Sequence, residues 1–214
     1  MHAAPGVHEH AAAICEARLQ PGARILELGA GSGALAARLR NAGFQVTATD
    51  LEPSHPEIQR LDLDNLQHTE FVDTRPDMIV CIETMEHLEN PRAALRSMRT
   101  LLPEGAELLI STPNVMHPHS RLRTLLTGEP ALFGVDAYYE TGHITPLPDW
   151  LLLEHLRSSG FDPVLVNYAG GVGIKSRWRL IMHRLEIRLL AIAGIRQSRD
   201  GGDGTCLFVA AKAV

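Results

Sequence analysis

Cysteine is scarce and scattered in this 214-residue chain: Cys15, Cys81 and Cys206 are all there is, and no Cys-x-x-Cys occurs. That spacing excludes a disulfide framework and a zinc ribbon and fits a reducing cytoplasm. No uninterrupted apolar run reaches the roughly 18 to 20 residues of a membrane-spanning helix. Residues 1–13 carry three histidines and neither Lys nor Arg, so the basic start of a secretory leader is not expected. Lysine is restricted to Lys175 and Lys212. Neither follows Tyr138, Tyr139 or Tyr168 at the Tyr-x-x-x-Lys spacing that many nicotinamide-dependent reductions use. Internal repeats and low-complexity linkers are also missing. These absences point to a soluble or peripheral cytoplasmic protein.

What remains is enough for a packed core. Hydrophobic residues make up 45% of the chain and charged residues 21%, which excludes global disorder. The length suits one α/β domain over 1–214. Charge is unevenly placed. Residues 175–199 hold seven Lys/Arg against the single acid Glu186, and the remainder holds 13 basic and 24 acidic residues, a net of −11. An acidic body is a poor surface for tracking phosphates, which argues against nucleic acid as a partner.

Short β-type apolar runs alternate with helical stretches, the pattern of a parallel-sheet α/β domain. Strands are expected over 24–28, 45–49, 58–61, 78–82, 108–111, 161–167 and 206–211. Helices are expected over 9–19, 33–41, 91–102, 149–160 and 175–195, and Asn90-Pro91 reads as a cap followed by proline at the first helical position. Residues 112–147 read as a long irregular stretch with one short helix near 120–126. The last two strands allow an antiparallel edge on an otherwise parallel sheet.

Ile25-Leu26-Glu27-Leu28-Gly29-Ala30-Gly31-Ser32-Gly33 is a strand running through a glycine-rich turn into a helix. Glycines permit the sharp turn and the close approach of a ligand, and the helix start presents free N–H groups. Asp50 ends the second strand 21 residues after Gly29, where a carboxylate can accept from two ribose hydroxyls. Asp62 follows the third strand, placed to accept from an adenine amino group or to serve as a solvated turn residue. Glu27 puts a carboxylate close to the loop. That suits a cationic ligand such as S-adenosylmethionine and opposes a dinucleotide's pyrophosphate.

Residues 24–114 resemble the core of class I S-adenosylmethionine-dependent methyltransferases. Glu27-Leu28-Gly29-Ala30-Gly31-Ser32-Gly33 is similar to that family's first motif, Asp50 to its ribose-binding acid and Asp62-Leu63 to its adenine-contacting position. The resemblance implies a Rossmann-like seven-stranded sheet in the order 3-2-1-4-5-7-6, strand 7 antiparallel, with helices on both faces. It also implies a cofactor site drawn from Glu27, Gly29, Ala30, Gly31, Gly33, Asp50, Leu51, Asp62, Leu63 and Ile82.

Glu83-Thr84-Met85-Glu86-His87 follows the fourth strand, at the sheet end where doubly wound folds bind ligands. Two carboxylates and an imidazole in five residues can hold a divalent cation, or His87 alone can take a proton from a hydroxyl. The glutamates can equally serve as caps and loop acceptors. The run resembles that of the ubiquinone-biosynthesis O-methyltransferases and of small-RNA 3′-end 2′-O-methyltransferases, which hold a metal with Glu, Glu, His and a further His. By that resemblance the metal candidates are Glu83, Glu86, His87 and His143, with His117 and His119 behind them, and the catalytic candidates are His87 and His143.

Residues 115–147 are expected to form a lid over a small-molecule acceptor, with Tyr138 and Tyr139 lining its pocket or packing the lid. Arg121 and Arg123 could meet an anionic group or lie on a solvated helix face. Over 175–195 a helical wheel gathers Trp178, Ile181, Met182, Leu185, Leu189 and Ile192 on one face, flanked by Arg177, Arg184 and Arg188. Such a helix packs on its own domain or a second subunit, or lies on an anionic membrane. The resulting expectation is O-methylation of a quinone-precursor, lipid-linked or glycan-related acceptor. RNA 2′-O-methylation and N- or C-methylation of a metabolite are the alternatives.

Overall fold

The computed structural model describes residues 4–65, 75–170 and 204–214, and the single positions Leu185, Arg188, Leu189, Ile192 and Gly194. The helix expected over 175–195 otherwise lies outside the described residues.

Seven strands form one sheet: β1 Arg24–Leu28, β2 Gln45–Asp50, β3 Ile58–Arg60, β4 Met78–Ile82, β5 Glu107–Pro113, β6 Phe161–Ala169 and β7 Cys206–Ala213. Their order is β3-β2-β1-β4-β5-β7-β6. The pairs β1–β2, β1–β4, β2–β3 and β4–β5 are parallel, and β7 runs antiparallel to both β5 and β6. Both the expected topology and the antiparallel strand are present.

The continuous apolar runs explain this layout. Every residue of β4 is buried, as a central parallel strand covered on both faces requires. Alternate side chains then feed two cores. Leu26, Leu28, Ile79, Cys81, Leu108 and Ile110 pack with Leu95 and Met98 of α3 (Pro91–Leu101) and with Leu152 and Leu156 of α6 (Asp149–Ser158). Ile25, Met78, Val80, Ile82 and Leu109 pack with Val7, Ala11 and Cys15 of α1 (Val7–Arg18) and with Leu35 and Leu39 of α2 (Ala34–Asn41). Arg18 ties α1 to the sheet through an ion pair with Glu107, its Nη2 donating at 2.8 Å. The Asn90 side chain accepts from the Ala93 amide at 3.0 Å and Pro91 opens α3, a cap worth about 1 kcal/mol.

The stretch after β5 is more ordered than its sequence suggests. It holds α4 (Pro118–Thr127) and α5 (Val135–Glu140). The second of these helices is unexpected. It has six residues and buries none of them, so it leaves no apolar periodicity to read. It also contains two tyrosines, which favour strands.

Candidate active site

Two turns meet at the carboxyl end of the parallel strands. The first leaves β1. Gly29, Gly31 and Gly33 have φ of 75°, 55° and 74°, a region closed to most side chains. A Cβ on Gly29 would sit 2.3 Å from Thr84 Oγ1, so this glycine also lets the β4 turn come close. The Gly29 and Ala30 amides both donate to the Thr49 carbonyl at 2.9 Å. The Gly31 amide donates to Asp50 Oδ2 at 2.7 Å, and the Glu52 amide to Asp50 Oδ1 at 2.9 Å. Asp50 is the last residue of β2, and its carboxylate is locked against the glycine loop with lone pairs to spare.

Glu27 lies beneath this loop, 3% exposed, with Oε2 in no hydrogen bond. Burial pushes its carboxyl up to about 8; Arg40 acts against the shift and Asp50 adds to it. A buried carboxyl group with one oxygen lacking a donor fits a ligand that brings positive charge. Asp62 accepts from Asn65 Nδ2 at 2.9 Å and from the Asp64 amide at 3.0 Å, and the Asn65 bond chiefly holds its carboxyl below the usual range. Leu63 and Ile82 are buried, whereas Leu51, beside Asp50, is 51% exposed.

The second turn leaves β4. Glu83 has φ of 50° although it is not glycine, a strained conformation of the kind that collects at functional sites. Its amide donates to the Ser111 carbonyl and to Ser111 Oγ. Its carboxylate accepts from Ser111 Oγ at 2.8 Å and from Cys206 Sγ at 3.3 Å. Burial raises its carboxyl. Both Glu83 oxygens therefore face β5 and β7.

Met85–His87 form a single 3-10 turn. Glu86 is 1% exposed, and neither carboxylate oxygen has a hydrogen bond of good geometry, the Thr112 hydroxyl being its polar neighbour. Burial, and then the neighbouring Glu83, raise its carboxyl well above the usual range. Residues 115–147, an insert between β5 and α6, dock here. The Ile144 and Thr145 amides donate to the Glu86 carbonyl at 3.0 and 2.9 Å. His87 Nδ1 lies 3.0 Å from the Gly142 carbonyl, and His143 Nδ1 lies 2.8 Å from the Leu132 carbonyl. A carbonyl only accepts, so each Nδ1 carries the hydrogen and each Nε2 keeps a lone pair in the neutral ring. The rings meet edge to face with centroids 4.9 Å apart. Burial lowers the His87 imidazole; the Gly142 bond opposes this and His143 adds to it.

Glu86, His87 and His143 each offer one ligand atom, all within 4.8 Å of one another. One buried carboxylate and two imidazoles gathered in this way fit a divalent cation that takes nitrogen and oxygen ligands. Glu83 is turned away from this trio. His117 is buried and caps α4, accepting from the His119 amide at 3.3 Å. Tyr138 and Tyr139 stack edge to face at 5.1 Å and are 55% and 81% exposed. Arg123 pairs with Glu129 at 3.2 Å. Ser111, Cys206 and the carbonyls of Gly142 and Leu132 escaped the sequence reading. Backbone carbonyls have no residue signature, and Cys206 arrives from the far end of the chain.

A family described as a methyltransferase domain matches residues 5–166. A ubiquinone biosynthesis O-methyltransferase of Xanthomonas axonopodis pv. citri (strain 306) is 36% identical over 113 residues, 46% of this chain and 46% of that protein. A protein of the same name from Xanthomonas campestris pv. campestris (strain B100) is 35% identical over 108 residues, 44% of each chain. The chain thus spans about half the length of the curated relatives it matches. Among solved structures, a SAM-dependent methyltransferase from Archaeoglobus fulgidus superposes with a TM-score of 0.63 at 15% identity, over 96% of this chain and 94% of that one. Magnesium protoporphyrin IX methyltransferase from Synechocystis PCC 6803, with bound SAH, gives 0.61 at 14% identity over 97% and 82%. At these identities the likeness is one of fold.

Proposed function

The chain belongs to the methyltransferase domain family, and we propose that it carries a methyl group from S-adenosylmethionine to a hydroxyl oxygen of a small acceptor. The observation that carries this reading is the facing pair His87 and His143. Each has its Nδ1 on a carbonyl and its Nε2 lone pair free for a proton, beside the buried Glu86.

When bound, the donor supplies a methyl already activated by its sulfonium. The protein's tasks are alignment, exclusion of water and removal of the hydroxyl proton. The glycine turn and Asp50 would hold the ribose, Asp62 the adenine amino group, and the exposed Leu51 the face of the base. Glu27 would meet the positive end of the ligand. His87 Nε2 would take the acceptor's proton, with its ring orientation fixed from behind by Gly142. A divalent cation held by Glu86, His87 and His143 would occupy the same His87 lone pair and so would replace the base, supplying the acidification of the hydroxyl instead.

The insert supports an acceptor with an apolar portion, such as a quinone precursor. Leu125, Leu126, Leu132 and Val135 are all more than half exposed on it. The acidic body opposes an RNA acceptor. Over 175–195, the described Leu185, Leu189 and Ile192 are exposed, which supports a covering surface there, either a second subunit or an anionic membrane. Among the described residues no helix is long and apolar enough to cross a membrane.

The test is His87→Ala, assayed with methyl-labelled S-adenosylmethionine and a panel of catechols, with S-adenosylhomocysteine binding measured separately. Turnover is expected to fall about 10²- to 10⁴-fold with binding unchanged. Turnover that survives the substitution removes the base, and with it the preference for oxygen over nitrogen or carbon.

A further inference from the structure

The loop after β3 does more than present Asp62. Two residues on, the Asp64 carboxylate reaches across to the turn that leaves the Glu86-His87 segment. Its Oδ2 accepts from the Glu89 amide and its Oδ1 from the Asn90 amide, both at 3.1 Å. These bonds are not needed to start α3, since the Asn90 side chain already accepts from the Ala93 amide and Pro91 has no amide to satisfy. They join two loops that are otherwise separate in the sequence.

The connection runs on in both directions. On the cofactor side, the Asp64 amide donates to Asp62 Oδ1 at 3.0 Å, and the Leu61 amide donates to the Asp50 carbonyl at 2.9 Å. Leu63, between the two aspartates, is buried in the core and anchors the loop. On the acceptor side, Thr145 Oγ1 donates to the Leu88 carbonyl at 2.7 Å. The Ile144 and Thr145 amides hold the Glu86 carbonyl. The residues proposed to bind adenosine and the segment carrying His143 are thus linked by consecutive hydrogen bonds through one exposed side chain.

We propose that Asp64 is a positioning residue: it fastens the adenosine-side loop to the turn after His87, so that filling the cofactor site orders the insert that brings His143 to His87. The inference rests on the reading of Asp50 and Asp62 as cofactor-binding. It gives the site an order of events, with the donor seated first and the imidazole pair set for the acceptor second.

The experiment uses the full chain, labelled with nitrogen-15, with S-adenosylhomocysteine as the probe. Amide hydrogen exchange is read at Ile144 and Thr145, whose amides sit on the Glu86 carbonyl, with and without the ligand, at saturation, in the wild type, Asp64→Ala and Asp64→Asn. In the wild type the ligand is expected to slow these amides by about tenfold, a local stabilisation of the docked segment. In Asp64→Ala the slowing is lost although the ligand still binds. In Asp64→Asn, which keeps one acceptor oxygen and serves if the alanine variant does not fold, the slowing is reduced. Equal slowing in the variants and the wild type overturns the proposal. So does a wild type that binds the ligand without slowing at these amides, an outcome that leaves the methyltransferase reading intact. A wild type that does not bind the ligand overturns both.

Discussion

The turn after β1 and the turn after β4 lie side by side, separated at their nearest by a missing Cβ on Gly29, yet they are built differently. The first is held by its own backbone: three glycines at positive φ, amides on the Thr49 carbonyl and one carboxylate from the next strand. The second is held from outside. Glu83 sits in a left-handed conformation without being glycine and is gripped by Ser111 and Cys206, while the carbonyls of Gly142 and Leu132, both from the insert, aim the imidazoles. Leu132 too has positive φ, at 66°. A backbone-built turn suits a ligand common to many enzymes. A turn assembled from distant segments can change its acceptor when the insert changes.

The largest expected effect strikes the point where the turns touch. Gly29→Ala forces a Cβ onto Thr84 and a side chain into positive φ, so S-adenosylhomocysteine binding should fall by at least about 100-fold with a stability loss of about 1 to 3 kcal/mol. Calorimetry and thermal melts check both; near-normal binding would mean that the turns are less closely fitted than they look. Glu86→Gln comes next and separates the halves. It should leave the ligand's affinity unchanged while lowering turnover about 100-fold and abolishing any bound divalent cation, as metal analysis and initial rates would show.

Acidity sharpens the contrast. Glu27 titrates at about 8 in the fold, above an ordinary carboxyl, so between about pH 5 and pH 8 the folded protein holds a proton that the unfolded chain has released, and stability falls over that window. Glu27→Gln should remove this decline, so its Tm should gain on the wild type from pH 5 to 8 and run parallel above it. For His87 the lowered imidazole places the acid limb of the rate profile below the ordinary value of about 6.5, because only the neutral ring accepts a proton. A limb above that value would assign the base elsewhere. The smallest effect is that of Leu132→Gly. Relief of positive φ and the added flexibility of glycine nearly offset, so stability should change by less than about 1 kcal/mol, with the hydrogen bond to His143 and the turnover kept.

The same contrast explains what could be read from residues alone. β1, β4 and β5 were legible because the runs around Leu26, Val80 and Leu109 are buried on both faces, and the first turn because glycine at 29, 31 and 33 has few other uses before a helix. The roles proposed for Asp50 and Asp62 rest on their places at strand ends. Glu83-x-x-Glu86-His87 was legible as a cluster, but not which carboxylate faces the imidazoles: that depends on Ser111 and on Cys206, which reaches Glu83 only through the antiparallel return of β7. α5 was hidden because it buries nothing. Asp64 was hidden because an exposed aspartate in a turn has many ordinary uses.

The claim on which the account depends is that donor and imidazoles share one crevice. A crystal structure with S-adenosylhomocysteine bound tests it most directly. The account predicts the ribose hydroxyls on Asp50, the adenine at Asp62 and the sulfur turned toward His87, His143 and Glu86. A ligand lying elsewhere, or one whose sulfur points away from that trio, would contradict it.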